Sequence, residues 1–554
     1  MAKLLVKNGF VFDPINNIEG ETKDILIENG KIVEKFTNKN DLKEIDAKGK
    51  TVVPSAVDTH THIASQQVNW ARLLGSENKD FQEIWKGLTL ENIAKSYISN
   101  GYTFILEANV FPSLSKQTIF DLKRLPVLDK AFLLNTSNLW ALELEFQRGK
   151  VENGAVFLSD LLNKVKGFGF KAYNPFEAEY WNWKVVRKSL TEKGRLFNFT
   201  PMDVYENLTK FVEYLGLPHS IHAHIEGYES VLSKDNLVSI LNKIKSLGLK
   251  PNTNNSLEIK RSQIFHLAHA SAYNSDGDNS ELIKFFNENH DFDMDLGFIG
   301  FDELNPLITS DRHLVNNLIS SENAYKLIRS SVESEGDSFV TLRKFSKKKG
   351  SDCILWANAI DLVLNITPWQ MQFSVNYPNY ANITNVPKIA TWLLSNKARE
   401  SFMKDMDAGF LKDNSLASND TVLTFNDFVI LTRSSPAKSL GIGSIKGNLG
   451  LGADGDLNVL NLNLNDVDVL KDVETLKKAL ENIEFVIKSG EIIKNQEKFN
   501  MSSSGKIFWA SGKAEKDDSK LVLTKKKEFY QKYYSTFYDS YTITINKEIL
   551  RKID

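Results

Sequence analysis

Seven of the nine histidines in this chain fall into three clusters: the pair His60 and His62, the triplet His219, His222 and His224, and the pair His266 and His269. Neutral imidazole nitrogen suits divalent metals, zinc above all, so clusters of this kind point to a metal centre. In VDTHTHIA, residues 57 to 64, His60 and His62 are two apart, and on a strand they share one face. At the carboxyl end of a barrel strand such a pair grips one cation, with Asp58 a neighbour below it. LPHSIHAHIEG repeats the spacing with His222 and His224, while His219 lies towards the strand start and reads as structural. In IFHLAHAS the two histidines are three apart and face opposite ways on a straight strand; His269, nearer the carboxyl end, is the better ligand. In GFGFKAYNP, Lys171 sits inside an otherwise apolar strand, where a buried ammonium needs a partner or a lowered pKa. Two resolutions stand open. The neutral amine adds carbon dioxide to give a carbamate whose oxygens bridge two cations, or the stem is buried and the head reaches water.

Elements must bring these motifs together. The first fifty residues contain short β-type runs, LLVKNGFVFD, DILIENGKIVEKF and KGKTVVPS, separated by Asn-Gly and Lys-Gly turns, which predicts a small antiparallel sheet. From Pro54 to about Asn426, brief apolar strands (YTFILEA, AFLLNTS, SIHAHIE, DMDLGFI) alternate with amphipathic segments such as MDVYENLTKFVEYLG and SELIKFFNEN. That alternation predicts parallel β/α units, and an eight-stranded TIM-like (β/α)8 barrel or a doubly wound sheet fits it equally. GSIKGNLGLGADGDLNVLNLN and IEFVIKSGEIIKN then return to strands with Gly and Asn turns. The expected organisation is α/β: residues 1–53 and 427–500 form one β-sandwich from both ends of the chain, 54–426 the barrel, and 501–554 an extension. In that extension the Lys-rich TKKKEF reads as a solvated face, and FYQKYYSTFYDSYTI as an exposed strand or a contact for another subunit.

Composition excludes several classes. The 554 residues carry 68 Lys+Arg against 70 Asp+Glu, a net charge of −2, which leaves no basic excess for nucleic acid or an anionic membrane. Hydrophobic residues at 42% and charged residues at 25% suit a globular core. With the single cysteine Cys353, no disulfide framework, Cys-ligated zinc or iron–sulfur cluster is built from this chain. MAKLLVKNGFVFDP has no export signal and no apolar run reaches spanning length, so a cytoplasmic, non-membrane protein is expected.

These motifs resemble the amidohydrolase superfamily, and more closely the A component of formylmethanofuran dehydrogenase and of the bacterial formyltransferase/hydrolase complex. The resemblance runs nearly end to end, through NGFVFDPINNIEGETKDILIENGKIVE, VDTHTHIASQQVNWARLL, TPMDVYENLTKFVEYLGLPHSIHAHIEG, FHLAHASAYNSDG, DLGFIGFDELNPLITSD and SPAKSLGIGSIKGNLGLGADGDLNVL. It implies two Zn2+ ions in the barrel mouth: His60 and His62 on one, N6-carboxylysine at Lys171 bridging, and His222 or His224 with His269 on the other. Asn69, Arg72 and Asn174 would contact substrate. The implied reaction is hydrolysis of N-formyl-methanofuran or -methylofuran to formate and free amine, in one-carbon metabolism, by one component of a larger complex. A free-standing amidohydrolase of hydantoinase type is the alternative that the end-to-end match disfavours. One departure matters most. Where the family has an Asp-His-Pro-Asn stretch whose Asp binds metal and shuttles the proton, this chain has VNYPN, with Asn376 at the Asp position and Tyr377 at the His position. Asn has no carboxylate to take a proton, so a catalytically impaired scaffold or carrier-binding subunit is the competing expectation. NPFE after Lys171 and IEGYES after His224 also depart, around the expected substrate mouth.

Overall fold

The computed structural model describes residues 3–65, 88–186, 189–227, 233–254, 256–309, 326–329, 337–469, 471–514 and 519–553, together with Val68, Asp311, Arg312 and Leu314. Eight parallel strands follow one another in chain order: Ala56–Thr61, Tyr102–Val110, Asp129–Asn135, Gly169–Tyr173, Ile221–His224, Phe265–Leu267, Phe292–Asp295 and Met371–Gln372. Each pairs with the next. The ring closes just past the last strand, where Thr61 bridges Tyr377 and the His62 N–H donates to the Tyr377 carbonyl at 2.7 Å. The β/α alternation is thus realised as a nearly closed barrel, not a doubly wound sheet.

Local sequence explains the connecting helices. Pro201–Leu215 begins at Thr200, whose hydroxyl accepts from Asp203 N–H while the Asp203 carboxylate accepts from Thr200 N–H, a reciprocal cap with Pro at the first turn. Its buried stripe, Val204, Leu208, Phe211, Val212 and Leu215, recurs at helical spacing and packs on the barrel. Gly216 ends it at φ +63°, a left-handed position that suits glycine.

The strands at the two ends of the chain join one nine-stranded sheet. Thr51–Pro54, the last strand before the barrel, lies between Lys3–Asp13 and Leu457–Leu460, so the return from the barrel docks beside the entry to it. A separate apolar cluster, including Val6, Val11, Ile27, Val52, Leu457 and Ile487, fills this unit. After the seventh barrel strand the chain inserts a three-stranded antiparallel sheet, Leu304–Thr309, Lys326–Arg329 and Asp337–Lys344, where the sequence pattern suggests only further barrel segments. The carboxyl-terminal segment also differs from expectation. Its strand Ile507–Ala510 meets the third barrel strand at Lys130, its helix Ser519–Phe529 packs on the helix Val151–Val165, and Tyr530 and Tyr538 are buried against Phe157. The aromatic run therefore belongs largely to this chain's own core, with Tyr533 and Phe537 left exposed.

Candidate metal centre

Inward side chains at the carboxyl ends of the strands converge. Lys171 and His222 are register partners on the fourth and fifth strands, and His222 pairs in turn with His266 on the sixth, so the three sit at one height. His60, from the first strand, places Nδ1 2.8 Å from His222 Nε2 and Nε2 3.3 Å from Lys171 Nζ. His62, Lys171, Tyr173, His224, His269, Asn376 and Asn379 line a cavity that opens from this layer, with Ile308 and Thr309 of the inserted sheet across from them. His62 Nδ1 lies 3.4 Å from Glu107, whose other oxygen accepts the N–H groups of Ile63 and Ala64. Asp58 lies below, fully buried, accepting from the Tyr97 hydroxyl and the His60 N–H; burial lifts its carboxyl to about 7.

Two carboxylates that the sequence motifs do not single out organise the site. Asp295 ends the seventh strand. Its Oδ1 accepts the His269 N–H at 2.8 Å, and its Oδ2 faces His60 Nδ1 at 2.9 Å and His266 Nε2 at 3.2 Å. Burial alone would raise Asp295; the hydrogen bond from His266 and the charge of the surrounding rings outweigh it and hold the carboxyl below its ordinary value. Glu107, on the second strand, is the other. The signal is present in DMDLGFI and YTFILEA: an acid inside an apolar strand must be answered by a buried partner. His266 answers Asp295 and Asp293 together. Burial would lower it, but the two carboxylates push it up to about 9, so it is an imidazolium and not a metal donor at neutral pH.

The donor set fits a metal. His60, His222 and Asp295 offer ligand atoms that all lie within 4.8 Å of one another. Burial forces His60, His222 and His269 well below the ordinary imidazole value, so their rings are neutral, the form that binds cations. Lys171 is the sharper observation. It is fully buried, no described carboxylate lies within ion-pair distance, and burial lowers it to about 7 against the pull of Asp295 and Glu107. An amine with a large neutral fraction at that pH is the form that adds carbon dioxide.

Asn376 does line the cavity, at φ +50°, its N–H held by Ser374 Oγ and its carbonyl taking the Asn379 N–H. Asn174 stands apart from the cavity wall; its amide donates to Asp311 at 2.9 Å and Glu177 at 3.3 Å. Asn69 and Arg72 lie outside the described residues. His219 is below the site and bonds the Ser439 carbonyl.

A parallel barrel with histidines, lysine and aspartate converging at its carboxyl end, beside a sheet built from both chain ends, is the amidohydrolase fold. Residues 374–494 match the model described as "Amidohydrolase family". Its relatives are more particular. It is 27% identical over 565 residues to protein FwdA of Methanocaldococcus jannaschii, covering 98% of this chain and 96% of that one. It is 24% identical over 516 residues to the A component of the formyltransferase/hydrolase complex Fhc of Methylorubrum extorquens, covering 88% and 89%. The crystal structure of the formyltransferase/hydrolase complex FhcABCD from M. extorquens with methylofuran superposes with a TM-score of 0.84 at 21% identity, over 100% of this chain and 99% of that one.

Proposed function

We propose that this chain is the hydrolase subunit of a formyltransferase/hydrolase-type complex, cleaving the N-formyl group of a methanofuran- or methylofuran-type carrier to formate and free amine. The reading is supported by the near full-length similarity to FwdA and to the A component of Fhc. It is carried by Lys171, a fully buried amine among neutral histidines with no described carboxylate at ion-pair distance. Carbon dioxide adding to the neutral Nζ with loss of one proton would give a carbamate, and Lys171 would then supply oxygen donors for zinc. His60 and His62 would hold one ion. His269 with His222 would hold the other, since His222 shares the Lys171 register while His224 is level with Tyr173 and faces Asp311 at 3.8 Å. Zinc in such a site supplies Lewis acidity and lowers the pKa of water towards 7.

The remaining work falls to the chain. Ile308 and Thr309 of the inserted sheet line the cavity, and the Asn376 amide, in the same wall, would donate to a carbonyl oxygen of a formamide. Asn376 cannot accept the proton that the leaving amine needs, and this favours the second reading, a carrier-binding subunit with a weakened site.

One experiment separates them. Purified with its partner subunits, the protein should carry near two zinc per chain and release formate from the formylated carrier, both abolished in His60→Ala. Because general acid–base help is commonly worth about 10²–10⁴-fold, Asn376→Asp should raise the rate if the shuttle is simply missing. Absence of zinc would sink the dinuclear hydrolase and leave the scaffold.

A further inference from the structure

Below the centre, His219, His222 and His266 place ring nitrogens within 4.8 Å of one another, the geometry of a further metal site. Their hydrogen bonds argue otherwise. Both His266 nitrogens face carboxylates, Asp293 at 2.9 Å and Asp295 at 3.2 Å. His219 Nδ1 lies 2.9 Å from the Ser439 carbonyl and its Nε2 3.2 Å from His222 Nδ1. Each nitrogen has a partner, and what the set can do is orient protons.

A carbonyl oxygen only accepts, so His219 must carry hydrogen on Nδ1. The opposite tautomer would press a nitrogen lone pair against that oxygen at 2.9 Å. His219 is fully buried and hydrogen-bonds no carboxylate among the described residues, so a second proton would leave a buried charge uncompensated. Its Nε2 is therefore an acceptor, and His222 must donate to it from Nδ1. The His222 lone pair is then left on Nε2, the atom that points to His60 and the metal layer.

We infer that His219, anchored by the Ser439 carbonyl, is a positioning residue that fixes the tautomer and ring plane of His222, so that Nε2 faces the metal layer as a bare donor. Metal-bound histidines commonly send their second N–H to a carbonyl or carboxylate. Here a second imidazole passes that role on to the backbone at Ser439, in the segment that leaves the barrel for the antiparallel sheet. Docking of that segment thereby reaches a ligand whose own strand it does not belong to. The tautomer stands on hydrogen-bond geometry; the zinc consequence rests on the metal-centre reading above.

Long-range 1H–15N spectra of protein labelled with 15N-histidine, recorded without metal, read the tautomer directly. The expected result is His222 protonated at Nδ1 and bare at Nε2. His222 bare at Nδ1 overturns the inference whether or not zinc binds. In His219→Phe, zinc affinity measured by chelator competition should fall roughly 10–100-fold, with His222 no longer held in one tautomer. His219→Gln, whose amide offers an N–H to Ser439 and an oxygen to His222, should restore both. If His219→Phe binds zinc like the parent, the relay is wrong; should it fail to fold, the parent spectrum and the Gln variant still decide. A parent that binds no zinc but shows the expected tautomer leaves the relay standing and defeats the metal reading instead.

Discussion

Asp295 shows how much one side chain holds in place. Its two oxygens accept the His269 N–H and face the rings of His60 and His266, so three site histidines from two segments depend on it. Asp295→Ala would leave the His266 imidazolium with Asp293 alone and His269 without its anchor. Since removing one partner from a buried charged network costs about 3–5 kcal/mol, urea unfolding should show a loss of that order together with lower zinc content. An unchanged midpoint would mean that water takes over the carboxylate's role. Two residues on, Gly297 tests the same site by shape. At φ +67°, an added Cβ would stand 2.8 Å from both Cα and Cβ of His269, which itself sits at φ +53°. Gly297→Ala should therefore cost about 1–3 kcal/mol through backbone strain and weaken zinc binding by displacing His269. The variant binding zinc as tightly as the parent would show that His269 is not a ligand held from behind.

Among the elements, legibility followed local periodicity. The His-x-His pairs could be read because strand side chains alternate, and the flanking β-runs because their turns carry Asn-Gly and Lys-Gly. The ligand choice within HSIHAH was not readable, since His222 and His224 share a face and only the register with Lys171 separates their heights. Asp295 was legible as a buried acid in DMDLGFI but its partners were not: they lie on the first barrel strand and on the sixth with the turn after it, and no local pattern records them. The docking of the two chain ends was legible as an outline, but its chemistry was not. Asp13, at the end of the strand Lys3–Asp13, accepts from the Leu449 N–H at 2.9 Å and from Asn16, pinning the return segment to the entry. Burial lifts its carboxyl from 3.8 to about 6 against these hydrogen bonds. The folded state thus holds the proton more tightly than the unfolded one, so the group's contribution is fully present below 3.8 and is lost as pH rises through about 6. That loss is on the order of 2–3 kcal/mol. Asp13→Asn, which accepts but does not titrate, should flatten the fall of Tm across that window; an unaltered slope would assign the pH dependence elsewhere.

At the scale of the whole molecule, the barrel, the two-ended sheet and the carboxyl-terminal segment meet at one buried cation, Lys446. Its Nζ lies 2.6 Å from Asp129 at the start of the third barrel strand, 2.6 Å from Asp456 and 2.9 Å from Asp454. Lys31 of the amino-terminal sheet and Arg551 of the last strand pair with Asp454, and Lys488 pairs with Asp129. Burial would lower Lys446 and raise the aspartates, but their mutual attraction wins: the lysine is held above its ordinary value, and Asp129 and Asp454 below theirs. The network lies at the amino-terminal end of the barrel, away from the histidines, so it bears on assembly of the fold and not on the site's chemistry. Lys446→Met removes the one cation that the three buried carboxylates share, leaving Asp456 with none among the described residues and the three repelling one another, and should destabilise the protein by about 3–5 kcal/mol. Because protonation relieves that repulsion, the deficit should shrink as pH falls into the carboxylate range, a direction opposite to simple cavity damage. Arg551→Met removes a partner that keeps 26% of its side-chain surface exposed, and should cost no more than about 1 kcal/mol. Equal losses from the two variants, or a Lys446→Met deficit independent of pH, would show that apolar packing and not this charge cluster joins the three parts.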